Sequence, residues 1–426
     1  MAHLVAKQWK SRDLGFTRKS KDRLCDYQAF IPDPLVGRPF SFTGECAADI
    51  AEAETAIRSL DRTGGVLAST EGLARLLLRA EAAASSRIEG IEIGAGRLLR
   101  AEAARSFDNQ GRPDTVADEV LANIDAMTLA MELADSEPKV TMDTILQIHE
   151  RILRATALKA YAGRMRTSPS WIGGNGSDPC TASFVPPPYE EVPRLLEDLA
   201  EFCNDESLPA VAQAAVVHAQ FETIHPFVDG NGRTGRALIH VLLRRRGVAR
   251  SWVPPVSLVL ATMQKEYIRG LDAYHREGPP DCVACIAGVN TWVSIFANAC
   301  TRSVRDATLF EARIMTLQDN WRQRLDPVRS GSSADLLIDA LPGMVIVTVP
   351  GTAALLGRSF TAANQAIDQF VKAGILKQVN VGKRNRAFEA TEVVAAFTQL
   401  ERRLASPAGD THVAWPVRPA PRKKKR

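Results

Sequence analysis

The stretch His225-Pro226-Phe227-Val228-Asp229-Gly230-Asn231-Gly232-Arg233-Thr234-Gly235-Arg236 decides how this chain is read. It opens on an imidazole, the one side chain that exchanges a proton near neutral pH without special tuning. Pro226 and Phe227 add a rigid step and a bulky anchor. Asp229 is a hard oxygen ligand of the kind Mg²⁺ takes. Gly230-Asn231-Gly232 lets the backbone turn sharply and approach a ligand with no Cβ in the way. From Arg233 through Leu243 the pattern predicts the start of an apolar helix, whose free N–H groups and partial positive charge attract anions. Arg233 and Arg236 fall on one face of it. A base, a metal ligand, an anion-binding turn and two guanidiniums together suit a magnesium-bound polyphosphate.

At every defined position the stretch also resembles the signature H-P-F-x-[DE]-G-N-G-R-x-x-R of the Fic (filamentation) family. The resemblance implies transfer of AMP from ATP to a hydroxyl side chain (Tyr, Thr or Ser) of a target protein. It implies His225 as the base and Asp229 as the holder of Mg²⁺. Gly230, Asn231, Gly232, Arg233, Thr234, Gly235 and Arg236 become the nucleotide-binding run, with Gly230 to Gly232 cradling the α- and β-phosphates and Arg236 on the γ-phosphate. Tyr267, by its position downstream, resembles a residue of the family's adenine pocket; a core tyrosine fits the residues as well. Upstream, Ser85-Ser86-Arg87-Ile88-Glu89-Gly90 resembles the inhibitory motif [ST]-x-x-x-E-[GN]. The resemblance makes Ser85 and Glu89 regulatory: Glu89 would pair with Arg236 and keep the γ-phosphate out of place. The residues alone give a helix end stopped by Gly90.

The rest of the chain sets bounds. Its 426 residues allow two or three domains, and 45% hydrophobic residues is ordinary for a globular protein. A net charge of +4 does not argue for nucleic-acid binding by the whole chain. The start lacks the pattern of a secretory signal, and no apolar run looks long enough to span a bilayer, so a cytoplasmic location with no membrane partner is expected. Seven scattered cysteines suit reduced thiols. Cys282 and Cys285 form a lone C-x-x-C in an apolar pattern, read as buried core thiols rather than a zinc site. His218 and Glu222 lie one helical turn apart, but without H-E-x-x-H they read as packed helix residues.

The expected fold is mainly α. Residues 1–115 form an N-terminal region ending in the inhibitory helix, 116–326 a Fic-type helical core, and 406–426 a disordered basic tail. Between Trp171-Ile172-Gly173-Gly174 and Ala182-Ser183-Phe184-Val185, the turn Asn175-Gly176-Ser177-Asp178-Pro179 predicts a β-hairpin. It resembles the family's flap, and a target segment docked near Trp171 to Gly174 could add to its edge as a strand. Residues 334–405 predict three short helices and two strands around a basic turn at Lys383, a winged helix-turn-helix. Its third helix is nearly neutral, so a protein contact is expected before DNA. Self-modification and a homodimer are compatible with this reading. Two alternatives stand beside it. One is a winged-helix transcription regulator whose site only senses nucleotide. The other is a Fic transferase that moves another phosphate-linked group or removes AMP.

Overall fold

The computed structural model describes residues 1–10, 24–63, 69–106, 114–174, 178–325, 327–380 and 386–404. The chain opens with a two-stranded antiparallel ladder, β1 (His3–Lys10) and β2 (Leu24–Ile31). Eleven helices follow: α1 (Gly44–Thr63), α2 (Ser69–Ile88), α3 (Ala95–Ser106), α4 (Thr115–Ser136), α5 (Met142–Leu153), α6 (Val192–Phe202), α7 (Ala210–Ile224), α8 (Asn231–Arg245), α9 (Val256–Thr262), α10 (Gln264–Tyr274) and α11 (Val283–Arg324).

At the centre lies α7. Every residue in it but Glu222 is buried, and its polar members Gln213, His218 and Gln220 are each hydrogen-bonded within the core, as a helix enclosed by others requires. Against it packs α8, buried from Asn231 to Leu243. The two helices meet at Gly235, where a Cβ would lie 2.9 Å from both Phe221 Cδ1 and Glu222 Oε1. Only glycine permits that approach. The flanking helices start where their caps dictate. Asp114 accepts the Ala117 N–H at α4, and Thr141 with Thr144 forms a reciprocal box at α5.

Helix α11 runs unbroken for 42 residues. By length and composition it could cross a bilayer, contrary to the sequence reading, yet more than half of its most apolar window is buried against the protein. Trp292, Val293, Phe296 and Cys300 face inward, and the Trp292 indole donates to the Ala215 carbonyl at 2.7 Å. It is therefore a core helix. The stretch from Val256 breaks at Met263 into α9 and α10.

Past α11 come α12 (Ser333–Ala340), β3 (Ile346–Val347), α13 (Val349–Leu356), α14 (Phe360–Lys372), β4 (Lys377–Asn380), β5 (Arg386–Glu389) and α15 (Thr391–Leu404). The strands form one antiparallel sheet in the order β3-β5-β4. Lys383 and Arg384 of the expected basic turn, and the whole of 405–426, lie outside the described residues. This C-terminal unit leans on α2 and α3. Arg100 meets Glu389 at 2.8 Å, Arg87 meets Glu401 at 3.5 Å, and Arg79 donates to the Gly343 carbonyl at 3.1 Å. A Cβ on Gly72 would sit 2.9 Å from Gly343 N, so the two backbones touch.

Two expectations need correction at the front of the molecule. The segment from Trp171 to Val185 is not a two-stranded hairpin. One bridge, Ile172 to Phe184, joins its arms, and a 3₁₀ turn at Pro179–Thr181 occupies the return arm. Gly173 and Gly174 both take positive φ, 77° and 73°, which ends the extended arm after one residue pair. Of the expected turn, residues 175–177 lie outside the described residues, while Asp178 and Pro179 open the 3₁₀ turn. The cysteines are not all reduced either: Cys25 in β2 is bonded to Cys180, Cα to Cα 5.9 Å. That link fastens the unforeseen β1–β2 ladder to the bridged segment, with Trp9 edge-on to Trp171 and the Phe30 N–H on the Val185 carbonyl. Cys285 is buried as expected, but Cys282 is half-exposed and caps α11, its Sγ accepting the Cys285 N–H.

Candidate active site

The junction of α7 and α8 builds the site. Helix α7 ends at Ile224, and His225 turns the chain with φ 48° and ψ 60°. It is the only described residue other than glycine with positive φ. Its N–H still bonds the Phe221 carbonyl at 2.9 Å, as a left-handed cap does. Nδ1 is buried without a hydrogen-bond partner of good geometry. Burial first, then the Arg166 charge, pulls the imidazole down to about 4, while Glu89, the Glu222 backbone and Asp229 oppose that fall. The ring is neutral at pH 7, the form a general base needs.

The loop between the two helices is closed by Asn231. Its buried amide accepts the Phe227 N–H and donates to the Phe227 carbonyl, both at 2.9 Å. The side chain expected to cradle phosphate is thus committed to the loop, leaving only the Asn231 backbone for a ligand. Thr234 donates its hydroxyl to the Gly230 carbonyl at 2.9 Å and is fully buried; Gly235 faces α7. Neither presents a group to a nucleotide as expected. What they do is hold the α8 N-terminus in shape, with Gly230 at φ 79° as its cap residue.

His149 supports the loop from below, a role absent from the sequence reading. It stacks on Phe227, ring centres 3.6 Å apart. Its Nδ1 accepts the Gly163 N–H at 3.1 Å, so Nε2 carries the proton and donates to the Asp229 carbonyl at 3.0 Å. Burial pulls it down to about 4, although the bond to Asp229 opposes.

Asp229 itself is half-exposed. One carboxylate oxygen accepts the Gly230 N–H at 2.7 Å and the other lies 3.4 Å from Arg233. Arg233 is 2% exposed, and its Nε and Nη1 are buried with no hydrogen-bond partner. A buried guanidinium with two unpartnered nitrogens at a helix N-terminus is built for an anion.

Arg236 is 1% exposed and fully engaged. Its Nη2 bonds Glu89 Oε1 at 2.7 Å and the Ser85 carbonyl at 2.8 Å; its Nε bonds Ser85 Oγ at 2.9 Å. Burial would raise the Glu89 carboxyl, but Arg236 outweighs it and, with Arg233 and His225, holds it below its ordinary value. A Cβ on Gly232 would collide with Glu89 Oε1 and lie 2.7 Å from Arg236 Nη1. Glycine at 232 is therefore what makes room for the carboxylate. Helix α2 is seated by a second buried contact, where Glu81 accepts from Ser257 and meets His240 at 2.8 Å.

Tyr267, expected near an adenine, lies in the layer behind Arg236. It is 4% exposed, and its hydroxyl meets His218 Nε2 at 2.8 Å. It is a core residue here, because α10 turns this face onto α7 and α11. His218 is likewise packed, as read; burial drops it to about 3. Among the described residues no group of three or more His, Cys, Asp or Glu side chains could hold a metal ion by themselves.

The profile of the Fic/DOC family matches residues 139–243, and that of the Fic/DOC family N-terminal region matches 47–132. Residues 139–243 are therefore similar to a Fic/DOC domain and residues 47–132 to the region that precedes it in that family. The Fic match spans α5 to α8 and so contains both halves of the site, while the N-terminal match contains α2 and Glu89. A protein adenylyltransferase fic-1 of Caenorhabditis elegans is 33% identical over 138 residues, 32% of this chain and 24% of that protein. Protein adenylyltransferase Fic of Drosophila virilis is 32% identical over 148 residues, 33% of this chain and 27% of that one. The chain thus spans about a quarter of the length of the curated relatives it matches. The crystal structure of a Fic family protein from Desulfovibrio desulfuricans shares the fold, with TM-score 0.51 and 21% identity over 83% of this chain and 98% of that chain.

Proposed function

We propose that this protein transfers AMP from ATP to a hydroxyl side chain of a protein, itself included, and that Glu89 holds the reaction down. One observation carries the reading: a neutral imidazole, His225, stands at the mouth of a helix N-terminus where two buried nitrogens of Arg233, Nε and Nη1, have no protein partner. The similarity of its Fic region to proteins named adenylyltransferases supports the choice of AMP.

In the reaction the target oxygen attacks the α-phosphorus of ATP. The bond from that phosphorus to the bridging oxygen breaks, and pyrophosphate leaves with the electron pair. His225 takes the hydroxyl proton at Nε2, since Nδ1 is buried. Arg233 and the α8 N–H groups bind phosphate oxygens, and Arg236 would receive the γ-phosphate once Glu89 withdraws. Asp229 offers one exposed carboxylate at the lip of this loop, which fits Mg²⁺, an ion that keeps several waters and binds through one or two carboxylates plus phosphates. Bound there, Mg²⁺ supplies charge neutralisation to the phosphates. The target would dock along the segment from Trp171 to Gly174, in a cytoplasmic setting.

The test is incubation with α-³²P-labelled ATP, GTP and UTP. Label from ATP on protein, lost in His225→Ala while nucleotide still binds, supports the reading; His225→Ala labelling at the parent rate overturns it. A second reading concerns the C-terminal unit, whose helices and strands follow the order of a winged helix. The outward residues of α14 include Phe360, Asp368, Val371 and Lys372, a face with one cation and two apolar side chains. That composition favours a protein contact over DNA.

A further inference from the structure

Arg166 is 3% exposed; Glu190 and Tyr27 act on it through space, but its hydrogen bonds among the described residues go to main-chain carbonyls. Burying an unpaired guanidinium is costly unless every donor is met and the surroundings carry negative charge. Here main-chain carbonyls meet that need. Nε donates to the His225 carbonyl at 2.8 Å, Nη1 to Ser168 at 3.1 Å, and Nη2 to Pro187 at 2.6 Å and Ile224 at 3.4 Å. The Arg166 N–H bonds the Pro226 carbonyl at 2.9 Å. One residue therefore grips three consecutive carbonyls, Ile224, His225 and Pro226, at the negative end of α7.

We propose that Arg166 is a positioning residue: it fixes the peptide planes on both sides of His225 and ties this base to the bridged segment in front of it. The inference rests on the reading of His225 as the base. Left-handed backbone at a residue with a Cβ costs about 1–2 kcal/mol, so His225 keeps it only because its surroundings enforce it. Arg166 is that enforcement, since it holds the carbonyls before, at and after the turn. The same guanidinium grips Ser168 and Pro187, which flank the Ile172 to Phe184 bridge. A target segment laid against that bridge and the nitrogen that takes its proton are thus referenced to one side chain. Its charge also acts on the ring. The charged or titratable groups facing His225 are Arg166, Glu89, Asp229 and Glu222, the last through its backbone; Arg166 is the cation that disfavours a protonated imidazole.

The experiment compares Arg166→Met and Arg166→Lys, each in full-length Glu89→Gly protein, with Glu89→Gly alone. Ring-proton NMR follows the titration of His225, assigned by its loss in His225→Ala. Labelling from α-³²P-ATP gives kcat and KM per folded molecule, with the folded fraction taken from circular dichroism. The expectation is a His225 midpoint raised by about half a unit or more in Arg166→Met and by less in Arg166→Lys, which keeps the charge. With it, kcat falls about tenfold or more and KM for ATP stays within about twofold, because the phosphate cradle on α8 is untouched. A lower melting temperature with an unmoved midpoint and unchanged kcat per folded molecule overturns the proposal. Should Arg166→Met fail to fold, Arg166→Gln takes its place with the same two outcomes. If Glu89→Gly itself labels no protein, the AMP-transfer reading fails, and the NMR midpoint alone decides for or against Arg166.

Discussion

Replacing Glu89 by glycine should raise self-labelling by AMP at least about tenfold, equivalent to roughly 1.4 kcal/mol in the barrier. The γ-phosphate and the Glu89 carboxylate compete for one guanidinium, which Glu89 holds through a 2.7 Å bond. A charge-assisted bond to a buried arginine is worth about 1.5–3 kcal/mol, and the lower end applies because the carboxylate side is 37% exposed. Removing it frees Arg236 without displacing it, since Ser85 still accepts from Nε and Nη2. ATP could then extend its phosphates fully, and the α-phosphorus would line up for attack. The assay is the initial rate of label transfer from α-³²P-ATP at equal protein and Mg²⁺. Ser85→Ala should give a smaller rise, because it removes one support of the arginine and leaves the carboxylate. Glu89→Gly with Arg236→Ala should lose the gain. An unchanged or lower rate in Glu89→Gly refutes the latch, unless that variant also retains label the parent releases, which would assign the glutamate to removal of AMP.

Three further outcomes are expected. Asp229→Ala should lower labelling strongly and flatten its Mg²⁺ dependence; the same Mg²⁺ curve as the parent would remove Asp229 from the site. Stability should peak near about pH 6–7. His149, His218, His225 and His275 are held down at about 4, 3, 4 and 4, so the unfolded chain takes up protons that the folded chain refuses as pH falls below about 6.5. Glu222 and Glu401 are raised to about 8 and about 7 by burial, so their contribution is lost as pH rises through those values; a urea midpoint that climbs steadily from acid to alkaline pH contradicts this sign. Finally, removing residues 328–426 should lower the melting temperature and raise labelling per folded molecule, because α2 loses the Arg87 to Glu401 contact two residues before Glu89. Equal labelling would show that the C-terminal unit does not brace the latch.

The helical frame was legible because its signals are local. Caps at Thr141 and Thr348, glycine stops at Gly90 and Gly357, and runs of apolar residues one turn apart each act within a few residues. The β1–β2 ladder left no such mark. Only Val5 and Trp9 of β1 are even half-buried, so its two faces differ too little for alternation to show. The bridged segment misled for the opposite reason. Gly173 and Gly174 read from sequence as part of the first arm, whereas both take positive φ and end it, with a Cβ on Gly174 meeting the Thr181 carbonyl at 2.6 Å.

The site divides along the same line. His225, Asp229, Arg233 and Arg236 come together at the α7–α8 junction because the turn and the helix start that gather them are local signals. Asn231, Thr234 and Gly235 sit in the same run yet serve the loop and the helix contact, since an amide, a hydroxyl and a missing Cβ are as useful to backbone as to phosphate. Arg166 was invisible for a deeper reason. Its partners are the carbonyls of Ser168, Pro187, Ile224 and His225, and a carbonyl is the same at every position of a chain. A buried cation whose hydrogen bonds all go to backbone, with Glu190 and Tyr27 acting on it only through space, has no bonded side chain to betray it. Such a group becomes visible only when the fold brings several carbonyls to one point, and here that point is the turn that carries the base.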